Sequence, residues 1–400
     1  MAKKFKATPE GTRDLVFEEC TAKSKIEKNL TSLFKDRGYR KVITPTLEYY
    51  DVFNRESMGM PVENLYKLTD NRGRLLVLRP DNTLPIARVV TSRLRNTALP
   101  LRLYYNQNVY RCSPLLAGHS DEISQCGIEL IGASGIRADL EIITMAVDAL
   151  KSCGAPDFRI EIGHAGFFKA LYNELKADEE QKEKIIELIE SKNYPALNDL
   201  LDKIGETKET KAIRMLPRLF GSEKILDKAS ELYDSKEANE ALSYLRTIFS
   251  YLQKLGLEDK INIDLGLVHR SNYYTGVVFR GYIEGSGITV MSGGRYDKLV
   301  GEFGIELAAT GFGVDVDALS RAMLTRGDVS EVKPVDVLVF GEDGFEIDAL
   351  IYARKLNDEG LVCENCVKDN VEDAKKYAVE KGIKRVDVVI SPSEITTIRI

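Results

Sequence analysis

The sequence lacks any excess of positive charge: 62 acidic residues outnumber 56 Lys and Arg over 400 positions, for a net charge of −6. A surface for DNA or tRNA would need a local basic patch strong enough to overcome that overall field. Long apolar runs are also missing. No stretch approaches the length of a membrane span, and the opening MAKKFKATPEG holds no apolar core of a secretion signal. A cytoplasmic location is expected. Cysteine is sparse, with six residues, and in a chain of this length they make no disulfide framework. Cys363-Glu-Asn-Cys366 alone has metal-site or redox spacing, but no second pair and no nearby His completes it, so a strand end is the simpler reading. No repeat and no low-complexity linker is visible. No metal or cofactor is expected.

The remainder has the make-up of a globular protein, 44% apolar and 30% charged, long enough for two or three domains. Ile26, Leu30, Leu33 and Phe34 share one face of a helix over Glu18–Lys35, and Val42-Ile43-Thr44-Pro45 reads as a short strand after it. Asp70-Asn71-Arg72-Gly73 is a turn joining strands at Leu65–Thr69 and Arg74–Arg79. Leu101–Tyr110 and Ile123–Ile131 are further strands, and Leu140–Cys153 is a helix. Residues 166–260 turn Lys-, Glu- and Leu-rich, with helical periodicity over Glu179–Lys192, Tyr194–Ile204 and Asn239–Leu255. Strand patterns resume at Ile261–Asp264, Tyr273–Tyr282 and Ile288–Met291, and a helix at Asp317–Arg326 follows. The expectation is an α+β domain over 1–325, an antiparallel sheet flanked by helices and interrupted by a helical insertion at 166–260. From about Lys333 strands alternate with helices, which implies a small α/β module over 333–400 with a mainly parallel sheet.

Several short motifs carry the chemistry: TPEGTRD at 8–14, LRPDNT at 78–83, QCGIE at 125–129, YYTG at 273–276 and GGRYD at 293–297. Each alone is weak, since a lone acid, tyrosine or glutamine on a strand is more often structural than ligating. In this order over some three hundred residues they resemble the class II histidyl-tRNA synthetases, across roughly residues 8–325, with a shortened relative of that family's anticodon-binding domain after them. The resemblance implies a class II aminoacyl-tRNA synthetase-like fold and a pocket for histidine. Asp81 and Thr83 match positions at the ligand's ammonium, and Gln125 a position at its backbone end. Glu129 and Tyr274 match the positions that grip the imidazole nitrogens. Tyr273 belongs to the same element, and Arg111 is retained.

The ATP side departs from the family pattern. The family's catalytic arginine falls on His269, with Arg270 beside it; the closing motif places Ala318 where an arginine serves the triphosphate, and adds Asp315 and Asp317. The loop after Arg111 reads Cys112-Ser-Pro-Leu-Leu-Ala-Gly118, where basic residues are expected. An arginine serving a transferring phosphate can be worth ~10³–10⁵ in rate, so adenylation would be negligible. Segments TPEGTRDL, LRPDNTLPIAR and YYTGVVF resemble the branch of ATP phosphoribosyltransferase regulatory subunits more than the synthetases. That branch implies a short-form catalytic subunit as partner, usually four chains with four, a homodimer core built on the helix Glu18–Lys35 and its Pro45 strand, L-histidine as feedback effector, and no tRNA. Three alternatives stay open: an active histidyl-tRNA synthetase, which pyrophosphate exchange would reveal; a paralogue that binds tRNA or protein; and another small-molecule enzyme on the same scaffold.

Overall fold

The computed structural model describes residues 7–54, 61–112, 120–155, 157–268, 273–283, 289–327 and 334–400. Two compact units divide the chain, Met1–Asp328 and Val329–Ile400.

The first unit opens with helix α1 (Glu18–Asp36), whose residues Ala22, Ile26, Leu30 and Phe34 recur every fourth position and are all buried. Strand β1 (Arg40–Lys41) pairs in parallel with Leu103 and Tyr104. The strand expected at Val42–Pro45 stops short of those residues for a visible reason. The Thr44 N–H donates to the side-chain oxygen of Gln107 at 2.8 Å, and Pro45 has no N–H to offer a ladder. Strands β2 (Leu47–Tyr49), β3 (Lys67–Thr69) and β4 (Leu75–Leu78) form a separate antiparallel sheet in the order β2-β4-β3, with a short helix α2 (Tyr50–Phe53) between the first two. Asp70 closes the turn by accepting from the N–H groups of Arg72 and Arg74, each at 2.9 Å. Helix α3 (Thr83–Ser92) follows.

Strands β5 (Leu101–Tyr110) and β6 (Glu122–Ile131) run antiparallel over their full length. Helix α4 (Ile136–Ser152) and strand β7 (Phe158–His164) lead into α5 (Ala165–Glu174), α6 (Glu179–Glu190), α7 (Tyr194–Ile204) and α8 (Lys208–Met215). A two-residue strand β8 (Phe220–Gly221) precedes α9 (Lys224–Leu232) and α10 (Lys236–Lys254). The chain returns through β9 (Ile261–Asp264), β10 (Val277–Ile283), β11 (Thr289–Arg295) and β12 (Ala309–Asp315), and closes with helix α11 (Val316–Arg326). Together these strands build a nine-stranded sheet in the order β1-β5-β6-β12-β11-β10-β7-β9-β8. Only the β1/β5 and β7/β9 pairs are parallel. No described helix is long and apolar enough to cross a membrane.

Arg295 locks β11 to the helix behind it. It ion-pairs with Asp139 of α4 at 2.7 Å and with Asp297 at 2.8 Å, and Asp139 also accepts from Tyr244 of α10 at 2.7 Å. With Asp139 only 2% exposed, that pair is a buried structural clamp rather than a ligand contact.

The second unit is a four-stranded sheet with helices on both faces. Its strands β13 (Val337–Gly341), β14 (Cys363–Asn365) and β15 (Arg385–Ser391) are parallel, and β16 (Glu394–Arg399) adds antiparallel at the edge. Val337 and Val339 point toward α12 (Glu346–Asp358), while Leu338 and Phe340 point toward α13 (Val371–Lys381). The Cys363 and Cys366 thiols are free, and burial raises the pKa of both, the reverse of the depressed thiol of a redox motif.

Candidate functional site

The register of the large sheet explains where a cleft can open. Residues directly opposite each other across antiparallel strands share a face. One row runs straight from β10 to β5 through Arg280, Ser292, Gly313, Gly127 and Tyr105. The adjacent row runs through Val278, Gly294, Gly311, Glu129 and Leu103. In the middle of both rows the side chains are absent or small, so the floor is bare backbone with larger groups at its ends. Glycine is required there: a Cβ on Gly311 would collide with the Glu129 carboxylate, and one on Gly127 with the Tyr105 ring and the Phe312 carbonyl.

Above this floor lies a cavity of about 390 Å³, lined by Asp81, Thr83, Tyr105, Arg111, Gln125, Glu129, Tyr273, Tyr274, Arg280, Thr289, Ser292, Gly293, Tyr296 and residues 311–313. It gathers Asp81, Thr83, Arg111, Gln125, Glu129, Tyr273 and Tyr274, the residues singled out by sequence, into one place although they lie up to 193 positions apart. Asp81 stands just before α3 and accepts from the N–H groups of Thr83 at 2.7 Å and Leu84 at 3.1 Å, so the start of the helix fixes it. Glu129 is held on the floor of β6 by the Thr83 hydroxyl at 2.9 Å and by the hydroxyl of Tyr296. The Gln125 oxygen accepts from Asn82 at 2.9 Å, and Asn82 in turn accepts from Gln107 at 3.1 Å, a buried amide chain tying β5, β6 and α3 together. Tyr273 and Tyr274 pack at a tilt of 43° with ring centroids 4.4 Å apart, and the ammonium of Lys169 on α5 donates to the Tyr274 carbonyl at 2.7 Å.

The electrostatics of the cleft are set by its two buried carboxyl groups. Burial pushes Glu129 up to about 8 despite the two hydroxyl bonds and with Asp81 adding repulsion. Asp81 is raised for the same reason, with Arg111 and the two amides pulling the other way. Arg111 is oriented by its Nε, which donates to the Pro80 carbonyl at 2.8 Å.

The nucleotide-side positions fare differently. His269 and Arg270, and the loop at 113–119, lie outside the described residues. Ala318 is 2% exposed in the first turn of α11 and is absent from the described cavity lining. Its N–H donates to Asp315, the helix cap, at 2.8 Å. Asp317 accepts from the Ser124 N–H at 2.7 Å and pairs with Lys23 at 3.0 Å. Both carboxylates therefore have structural partners, which tempers the repulsion of phosphate expected of them. Sequence reasoning passed over Tyr105, Arg280, Thr289 and Ser292 as cavity residues, whereas Gly293 and Tyr296 belong to the GGRYD motif it singled out. Strand alternation places Arg280 on the face of Val278, but only the cross-strand register reveals what that face meets.

Comparison with known proteins agrees with this architecture. The family model of histidyl-tRNA synthetase matches residues 11–319. An ATP phosphoribosyltransferase regulatory subunit from Clostridium kluyveri is 42% identical over 387 residues, covering 96% of this chain and 99% of that protein. The crystal structure of an ATP phosphoribosyltransferase regulatory subunit/histidyl-tRNA synthetase from Bacillus halodurans aligns with a TM-score of 0.83 at 31% identity, over 96% of this chain and 98% of that one. A histidyl-tRNA synthetase from a Nostoc species shares the fold, with a TM-score of 0.78 at 22% identity over 98% of this chain and 97% of its own. With a synthetase fold across its first unit and near-full-length kinship to regulators, the chain belongs to the family of ATP phosphoribosyltransferase regulatory subunits.

Proposed function

We propose that this chain is a non-catalytic, histidine-binding regulatory subunit that works with a short-form ATP phosphoribosyltransferase catalytic chain in the cytoplasm, itself built on a homodimer core. The observation that carries the reading is the pair of carboxyl groups, Asp81 and Glu129, pushed up by burial around a bare glycine floor. Such a site is poorly satisfied when empty and favours a small ligand with two hydrogen-donating groups. Histidine supplies them: its ammonium reaches Asp81 and Thr83, and its imidazole meets Glu129 and Tyr274, with Gln125, Tyr273 and Arg111 completing the enclosure. A ligand lacking either donor leaves the burial of that carboxyl uncompensated, which typically costs ~1–3 kcal/mol.

Support for the absence of synthetase activity comes from the first turn of α11, where the buried methyl of Ala318 presents no cation to a phosphate. Regulation then follows by linkage. Histidine shifts the partner's activity to the extent that it binds one state of the assembly better than another. The test is calorimetry with histidine, with and without ATP, alongside histidine-dependent ATP–pyrophosphate exchange. Saturable histidine binding without exchange is the expected result. Failure to bind histidine sinks the sensor, and robust exchange sinks the non-catalytic reading in favour of a working synthetase.

A further inference from the structure

The second unit carries an apolar face that its own core does not use. Helix α12 buries Ala349, Ala353 and Leu356 in the cluster that holds Val337 and Val339 of the sheet. The opposite side of the same helix bears Ile347, Leu350 and Ile351, which are 67%, 46% and 60% exposed. At about 3.6 residues per turn these three fall on one stripe, and Arg354 continues it. Val367, 88% exposed on the loop after β14, lines one cleft with Leu350 and so widens the patch. Single apolar residues scattered over a surface need no explanation, but a contiguous stripe rimmed by charge marks a contact.

The charges on the rim decide what covers the stripe. Glu346 and Asp348 stand in the first turn of α12, Arg354 and Lys355 near its end. By the helical period Glu346 and Arg354 border one side of the stripe, Asp348 and Lys355 the other. Acids first and bases last suit the helix dipole. Yet within each side the two signs lie more than ~10 Å apart along the axis, too far to pair in one helix. A second α12 laid antiparallel across the stripe removes that separation. Glu346 of each helix then faces Arg354 of the other, Asp348 faces Lys355, and Ile347, Leu350 and Ile351 meet at the centre. We propose that α12 is a self-docking face through which two copies of this chain pair about a two-fold axis, the surface being its own complement. One helix face buries less than the ~800 Å² per partner of a standard interface, so the pairing is weak. Its effect is to link chains held together elsewhere, joining the proposed homodimers into larger assemblies. The inference stands apart from the histidine pocket, which belongs to the other unit.

Sedimentation velocity on the full-length chain tests this, over about two decades of concentration around the micromolar range expected of a small contact. The average mass of the wild type is expected to rise with concentration. Ile351→Glu, at an exposed position, should move that rise roughly tenfold or more to higher concentration, because each pairing loses two apolar side chains. Lys355→Asp sets an acid opposite Asp348 and should move it by roughly threefold or more. Adding Asp348→Lys restores the opposite charges and should bring the wild-type curve back, a rescue that a damaged fold would not give. A wild-type mass that stays flat with concentration overturns the inference, as does a rise that Ile351→Glu leaves in place or an exchange that fails to rescue. If the stripe instead receives the catalytic chain, the mass of the free chain stays flat while Ile351→Glu weakens the mixed complex. That result also overturns it.

Discussion

Replacing Glu129 by Gln isolates the group on which the site depends. The shape is unchanged, and the two hydroxyls that now donate to the carboxylate, from Thr83 and Tyr296, can each turn to accept from an amide instead. The fold is therefore expected to survive. What changes is charge. Burial raises Glu129 from 4.5 to about 8, so holding it ionised in the empty site costs on the order of 5 kcal/mol at about 1.4 kcal/mol per unit. The sign follows directly. A carboxyl whose pKa is raised on folding contributes its stability below the unfolded value near 4.5, and that contribution is lost as pH climbs through 8. Wild-type protein without ligand is thus expected to lose melting temperature between pH 5 and 9 relative to Glu129→Gln, because the amide has nothing to ionise. Histidine reverses the order. Its N–H donor favours the ionised carboxylate in the wild type, a charge-assisted bond of about 1.5–3 kcal/mol, so Glu129→Gln should bind histidine roughly tenfold to hundredfold more weakly. Calorimetry at pH 7.5, with thermal melts of both proteins across the pH range, reads both effects. Histidine affinity within about threefold of wild type, or melting curves that fail to diverge with pH, would refute the reasoning.

Other substitutions probe the floor and its clamp. Gly311→Ala drives a methyl into the Glu129 carboxylate and the Ile128 carbonyl; we expect histidine binding to be lost and stability to fall by about 1–3 kcal/mol, the usual range for overpacking, as read by calorimetry and urea unfolding. A variant that binds normally would mean the floor is not where the ligand lies. Arg295→Met leaves Asp139 buried with its charge unpaired, and we expect a loss of about 3–5 kcal/mol in urea unfolding. Adding Asp139→Asn should recover part of it, and no recovery would count against the buried-charge explanation.

How far the sequence disclosed this structure depended on how local the signal was. Helix α7 was legible to the residue because its cap is written beside it: Asn193 accepts from a first-turn amide. Strand ends were less legible, since a strand ends where its hydrogen bonds go elsewhere. The Thr44 N–H turns to Gln107, sixty-three positions away, and no local pattern announces that. Strand β16 carries mostly exposed residues and so lacks the apolar alternation that marks a half-buried strand.

The site divides along the same line. Asp81, Thr83, Gln125, Glu129 and the Tyr273–Tyr274 pair sit inside short motifs and could be found by reading along the chain. Arg280, Ser292 and Tyr105 are joined to them only across the sheet, through a register that depends on every strand between β10 and β5. The glycines show why this matters. Gly127, Gly311 and Gly313 come from two strands that are far apart in sequence, and any one of them alone reads as a weak spot in a strand. Brought side by side by antiparallel pairing, they leave a stretch of bare backbone on the floor of the cavity. A methyl group at Gly311 would strike the Glu129 carboxylate. The cleft is therefore a property of the register as much as of its acidic residues, and a one-residue slip of β12 would put Phe312 or Thr310 where the floor is open.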